Sequence, residues 1–193
     1  MLIEDGTGGG YKSKVTQQNE LKTAGESRSI QHEASKVDEQ AYQVIGTATL
    51  SSGTVVPMHL KNTSATKKMV ITYIRHQVID QSGGTAIPNA SNYFSVRFGR
   101  TYSSGGTEVT PVNVNRGSGN AADATTYNDD PTLAGTATEI DRWYTKAEAD
   151  MNIFVKEGSV IIKPNNTIEL AYVGDQSSGT IYARLSFIMV EDD

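Results

Sequence analysis

The sequence predicts an all-β protein, a two-sheet antiparallel sandwich preceded by an extended N-terminal arm. Three observations carry that prediction. The 193 residues are 37% hydrophobic and 20% charged, and Gly, Ser, Thr and Asn, the residues of turns and strand surfaces, fill the difference. From residue 41 onward, apolar residues recur with period two, the spacing that puts alternate side chains on one face of a strand. The stretch 159–190, SVIIKPNNTIELAYVGDQSSGTIYARLSFIMV, holds two such runs separated by the polar loop GDQSSG. In the second run Ile181, Ala183, Leu185, Phe187 and Met189 share a face, opposite Tyr182, Arg184, Ser186, Ile188 and Val190. Two strands of matching period around a six-residue turn read as a hairpin. One apolar face on a hairpin is marginal alone, so a second sheet must cover it.

Residues 1–40 differ from the rest of the chain. Leu2, Ile3, Val15, Leu21, Ile30 and Val37 are their large aliphatic residues, scattered at no helical or strand period among Gly, Ser, Gln, Lys and Glu. A segment so poor in apolar surface cannot offset its own ordering entropy. It reads either as a disordered tail or as a polar arm, able to reach beyond about 100 Å when extended, that orders on a partner with Leu2, Ile3, Val15 and Leu21 as anchors.

Residues 41–193 form the predicted body. Tyr42, Val44, Gly46, Ala48 and Leu50 alternate with their neighbours, and Ser51-Ser52-Gly53 turns the chain. Residues 55–62 (VVPMHLKN) are a second strand, with Pro57 marking an edge or a bulge. Residues 69–80 (MVITYIRHQVID) read as a central strand with apolar residues on both faces. Residues 92–100 place Phe94, Val96 and Phe98 inward, and 108–114 form a further strand. A long polar loop insertion is expected at about 115–152, since 115–139 lacks any period and exceeds an ordinary connection. Its end, Thr145-Lys146-Ala147-Glu148, has capping-box spacing for a helical turn over 146–152. Short strands at 153–155 and 160–163 lead to the closing pair. Eight or nine strands with turns about every ten residues match a jelly-roll type of sandwich, and a Greek-key sandwich fits nearly as well.

Composition excludes several functions. A net charge of −5 with no long basic run argues against nucleic acid, which needs a positive surface. Absence of cysteine removes disulfides, thiolate metal sites and cysteine nucleophiles. No apolar run approaches the ~18 residues of a membrane helix, and the start lacks the basic and apolar regions of a signal peptide, so no membrane contact is expected.

Candidate chemistry is sparse. His32, His59 and His76 have no zinc-site spacing, and packing is the simpler role for each. The run Gly6-Thr7-Gly8-Gly9-Gly10 lacks the strand, the lysine and the helix of a phosphate loop. Asp129-Asp130 beside Asn128 lacks calcium-loop spacing. Glu139, Asp141, Glu148 and Asp150 flank Trp143-Tyr144, a combination found in carbohydrate enzymes. Capping by Glu148 and packing of Trp143 explain it more simply. Gly117-Ser118-Gly119 is not a nucleophile elbow. These readings predict no enzyme, no cofactor and no metal.

The start MLIEDGTGGGYKSKV, the segment SIQHEASKVDEQAYQV (29–44), the stretch TPVNVNRGSGNAADATTY (110–127) and the closing GSVIIKPNNTIELAYVG…GTIYARLSFIMVE together resemble structural proteins of tailed bacteriophages. The resemblance is greatest to the small jelly-roll decoration, or cement, proteins of the capsid exterior. It implies a virion protein assembled in the host cytoplasm, a homotrimer clamping subunits of the major capsid protein, with no catalytic residues. Tyr182 and Ile188, on the second face of the last strand, are then the expected subunit contacts. A rival expectation is a glycan-binding module of a tail fibre or host-recognition protein, using Trp143, Tyr144, Tyr127 and Tyr102 as stacking platforms.

Overall fold

The computed structural model describes residues 2–4, 12–15, 21–22, 34–35, 38–83, 90–145 and 152–192. The chain divides into two compact units, residues 1–30 and 31–193. In the first, β1 (Leu2–Glu4), β2 (Lys12–Val15) and β3 (Leu21–Lys22) pair as an antiparallel meander. Leu2 lies opposite Lys14, and Val15 opposite Leu21. No strand period is legible in this part of the sequence because runs of two to four residues are too short for an alternation to be read.

The second unit is built on eight long strands. They are β4 (Ala41–Thr49), β5 (Gly53–Asn62), β6 (Lys67–Ser82), β7 (Tyr93–Phe98), β13 (Thr138–Tyr144), β14 (Asn152–Ile162), β15 (Thr167–Gly174) and β16 (Ser178–Glu191). Between β7 and β13 run five short ones: β8 (Thr101–Ser104), β9 (Thr107–Glu108), β10 (Val112–Asn113), β11 (Ala124–Asn128) and β12 (Thr132–Ala134). One sheet has the order β10-β4-β16-β6-β14, the other β13-β7-β15-β5-β11-β9. Each sheet takes four of the long strands, and the chain changes sheet at every connection between them except β7 to β13. That alternation, all antiparallel, is the double Greek key of a jelly roll.

The alternation read in the sequence fills the space between the sheets. Tyr42, Val44, Ala48 and Leu50 are buried at β4 and its end, as are Met69, Ile71, Ile74 and Val78 of β6. All five inward residues expected of β16, from Ile181 to Met189, are buried too. The Tyr42 and Phe187 rings stack across the β4–β16 pair with centroids 5.5 Å apart. Pro57 marks a bulge: Leu170 pairs with Met58 and Tyr172 with Val55, leaving two residues of β5 opposite one of β15. At that bulge the Pro57 carbonyl reaches β4 so closely that a Cβ on Gly46 would sit 2.2 Å from its oxygen.

Three expectations are corrected. First, β15 and β16 are not a hairpin. They lie in different sheets, and the loop between them is an arch over the end of the core, where buried Gln176 accepts from the Tyr172 hydroxyl at 2.8 Å. Their apolar faces oppose each other across the core, an arrangement with the same period two as a hairpin. Second, the insertion at 115–152 is largely structured. The excursion from β7 lays β10 on the edge of β4 and β11 on the edge of β5, covering edges that would otherwise be unpaired. β12 pairs with β8, and β13 returns to pair with β7. Third, the two short strands at 153–155 and 160–163 are one strand, β14, with an irregularity between Val155 and Val160. The helical turn expected over 146–152 lies outside the described residues except at Asn152, which begins β14.

Candidate functional surface

Most of the polar side chains that could do chemistry are engaged within the fold. Arg75 and His76 are neighbours on β6, so they point to opposite faces. His76 points inward and is 1% exposed, against the Phe94 and Trp143 rings. The Trp143 indole N–H lies 2.9 Å from His76 Nδ1. Burial pushes the imidazole down to about 2, so it is a neutral acceptor in the folded protein. His59 is also buried, with Nε2 3.1 Å from the Arg100 carbonyl, and burial lowers its affinity for a proton. His32 lies outside the described residues.

Among the described residues, the one strongly buried carboxylate is Glu169, 2% exposed in the middle of β15. Its two oxygens accept from Arg100 Nε and Nη2 at 2.7 and 2.8 Å, and Arg97 stands 3.8 Å away. This fork-on-fork pair ties the turn after β7 onto the sheet. Glu139, the next carboxylate along the same face, accepts from the Ser95 hydroxyl at 2.5 Å and from Arg142 at 2.9 Å. The serine hydroxyl first, and then Arg142, hold it below the usual carboxylate range.

The remaining sequence candidates resolve in the same way. Asp130 caps the β5 bulge: its carboxylate accepts from Val56 N at 2.8 Å, and its own N–H reaches Val56 O at 3.1 Å. Asp129 and Asp130 both have left-handed backbones, with φ of 59° and 53°, which aspartate tolerates in turns. Ser118 accepts from Asn113 and from the Asn120 N–H. Asp141 Oδ1 accepts from the Arg142 N–H; Glu148, Asp150 and Gly6–Gly10 lie outside the described residues. No group of three or more metal-capable side chains occurs among the described residues. Of the four aromatic candidates, only Tyr102 and Tyr127 come together, stacked at 3.6 Å. Tyr144 packs edge-on against Tyr93, and Trp143 is turned toward the core.

What is left open is the outer face of the five-stranded sheet. Tyr182, an expected contact residue, is 41% exposed there, and Ile45 is 53% exposed. Val112 and Val114, at the β10 edge of the same sheet, are 68% and 53% exposed. Ile188, the other expected contact on this strand, is corrected: it is 3% exposed, packed with Ala34, Ala41, Val70 and Val190. Ala34 belongs to the segment assigned to the arm, and it covers the place where a neighbour was expected. Leu2, Ile3, Val15 and Leu21 belong to the three strands of the N-terminal unit.

Sequence reasoning does not single out Arg75, Arg184, Glu169 or Arg100. Register puts Arg184 directly opposite Arg75 on β6 and Ile45 on β4. Arg184 donates to Gln43 and lies over the Tyr73 ring, while its Nε is buried without a hydrogen-bond partner. A depression of about 250 Å³ opens here, lined by Ile45, Arg75, Gln77, Ile79, Tyr182 and Arg184 among others. A charged residue inside an apolar run, as in IELAY, is the signal that could have found Glu169. No protein-family model and no curated protein sequence matches this chain.

Proposed function

We propose that the chain is a non-enzymatic structural protein of a tailed-phage virion, a head decoration or cement protein on the outer capsid surface. The N-terminal unit is the observation that carries the reading. Its strands are three, four and two residues long, and so small a sheet is marginal in water by itself. In this reading the major capsid protein supplies a surface for the sheet to pack against. The resemblance of the start, the 29–44 segment and the closing strands to capsid cement proteins points the same way. Jelly-roll bodies, arranged as a homotrimer, would then bridge capsomer junctions, and repetition around the shell multiplies modest individual affinities. The reading assigns no catalytic residue, cofactor, nucleic acid or membrane.

The test compares the full chain with a chain lacking residues 1–30 for binding to purified capsids. The truncated protein should stay folded and lose capsid occupancy. Equal occupancy by both would overturn the role of the N-terminal unit.

The second reading, a glycan-binding tail-fibre or host-recognition module, rests on Tyr102, 38% exposed and stacked on Tyr127. Saturable binding on a glycan array, abolished by Tyr102→Ala, would promote it over the first.

A further inference from the structure

We propose that the outer face of the five-stranded sheet docks an acidic segment of a protein partner, with Arg75 and Arg184 receiving its carboxylates. This deepens the decoration reading and rests on it only for naming the capsid as the partner. Like charges directly opposite on neighbouring strands destabilise a sheet, and Arg184 faces Arg75 across β16 and β6. Elsewhere on the body, Arg97 and Arg142 of the second sheet and Arg100 in the turn after β7 have acidic partners: Arg97 and Arg100 share Glu169, and Arg142 has Glu139. Among the described residues, no carboxylate forms an ion pair with Arg75 or Arg184. A protein of net charge −5 thus sets two guanidiniums side by side with no counter-charge among the described residues.

The surroundings select the kind of partner. Arg184 Nη2 donates to Gln43 and its Nε is buried without a hydrogen-bond partner, so the guanidinium's charge is met by a neutral amide alone, and its other terminal nitrogen is the one that suits an incoming carboxylate. Exposed Ile45 and Tyr182 flank the pair, and tyrosine and arginine are residues that concentrate binding energy at protein interfaces. A small free anion would have no use for that apolar rim; a peptide alternating acidic and apolar side chains would use both. A two-fold contact centred on the pair would set arginine against arginine, which favours a different, acidic surface as the occupant.

The experiment uses the full chain and a fluorescent peptide alternating glutamate and leucine, with a lysine–leucine peptide as control. Saturable binding is expected for the acidic peptide alone, weakening with salt. Arg184→Glu places a carboxylate opposite Arg75, so the melting temperature should hold or rise while peptide affinity falls at least tenfold. Arg75→Glu, the mirror swap, should give the same loss. Unchanged affinity in either swap would overturn the proposal. So would self-association of the full chain that the swaps abolish, because it would assign the face to a second copy. Both swaps are then measured on purified capsids, where at least a tenfold loss is expected. Loss of peptide binding with no capsid binding by any form keeps the docking site and removes the decoration reading. Capsid binding unchanged by both swaps removes the capsid as the occupant of this face and leaves the decoration reading in place.

Discussion

Acidification tests the packing at the centre of the sandwich through His76. Its imidazole is 1% exposed, contacts the Phe94 and Trp143 rings and serves as acceptor for the Trp143 indole. Burial pushes its proton affinity from 6.5 down to about 2. Between those values the unfolded chain binds a proton that the folded chain excludes. The contribution to stability is therefore fully present above pH 6.5 and is lost as the pH falls toward 2, at about 1.4 kcal/mol per pH unit. At pH 5, a unit and a half below the unfolded value, the loss is about 2 kcal/mol. That pH stays above the carboxylate range, so Glu139, whose proton affinity is lowered, adds little. His59, also lowered by burial, adds in the same direction, so the effect of His76 needs its own control. His76→Gln keeps an acceptor for the indole and cannot titrate. Urea unfolding at pH 7.5 and pH 5, followed by fluorescence of the single tryptophan, gives the difference within each protein. The wild type should lose about 2 kcal/mol more than His76→Gln over this interval. Equal losses in the two proteins would refute the buried, neutral histidine.

Other perturbations probe the same packing. Gly46→Ala drives a Cβ to within 2.2 Å of the Pro57 carbonyl and should cost about 1–3 kcal/mol by overpacking, read as a lower urea midpoint. Glu169→Ala leaves Arg97 and Arg100 facing each other without their counter-charge and should destabilise by about 3 kcal/mol, with the turn after β7 losing amide protection in hydrogen exchange. Ile188→Glu buries a carboxylate beneath Ala34 and should lower stability by on the order of 3 kcal/mol. A variant that folds as stably as wild type would reopen that face as a contact surface.

The strands are legible in the sequence where alternation has a single cause. Tyr42, Val44, Ala48 and Leu50 face a core, so β4 can be read along its length. Which strand pairs with which cannot. Ile168–Tyr172 and Ile181–Phe187 have the periodicity of a hairpin, yet they face each other from opposite sheets, because period two records the face and says nothing of the sheet. The excursion over 99–137 is illegible for another reason. Ala124–Asn128 and Thr132–Ala134 are built mostly of small and polar residues, and they are held by backbone pairing to β5 and β8 rather than by burying apolar faces. Alternation puts Ile188 on the correct face of β16, but its cover, Ala34, comes from a segment whose composition reads as an arm. The arginine pair escapes notice because a lone Arg in each of two strands becomes a feature only once register sets them side by side.

In the proposed role, this chain is a repeated building block on a phage head. Quantitative mass spectrometry of purified virions measures it directly, as the ratio of this chain to the major capsid protein. Copies on the same order as the capsid subunits are expected. A handful of copies per particle, or none, would contradict that role and favour a tail component or a protein outside the virion.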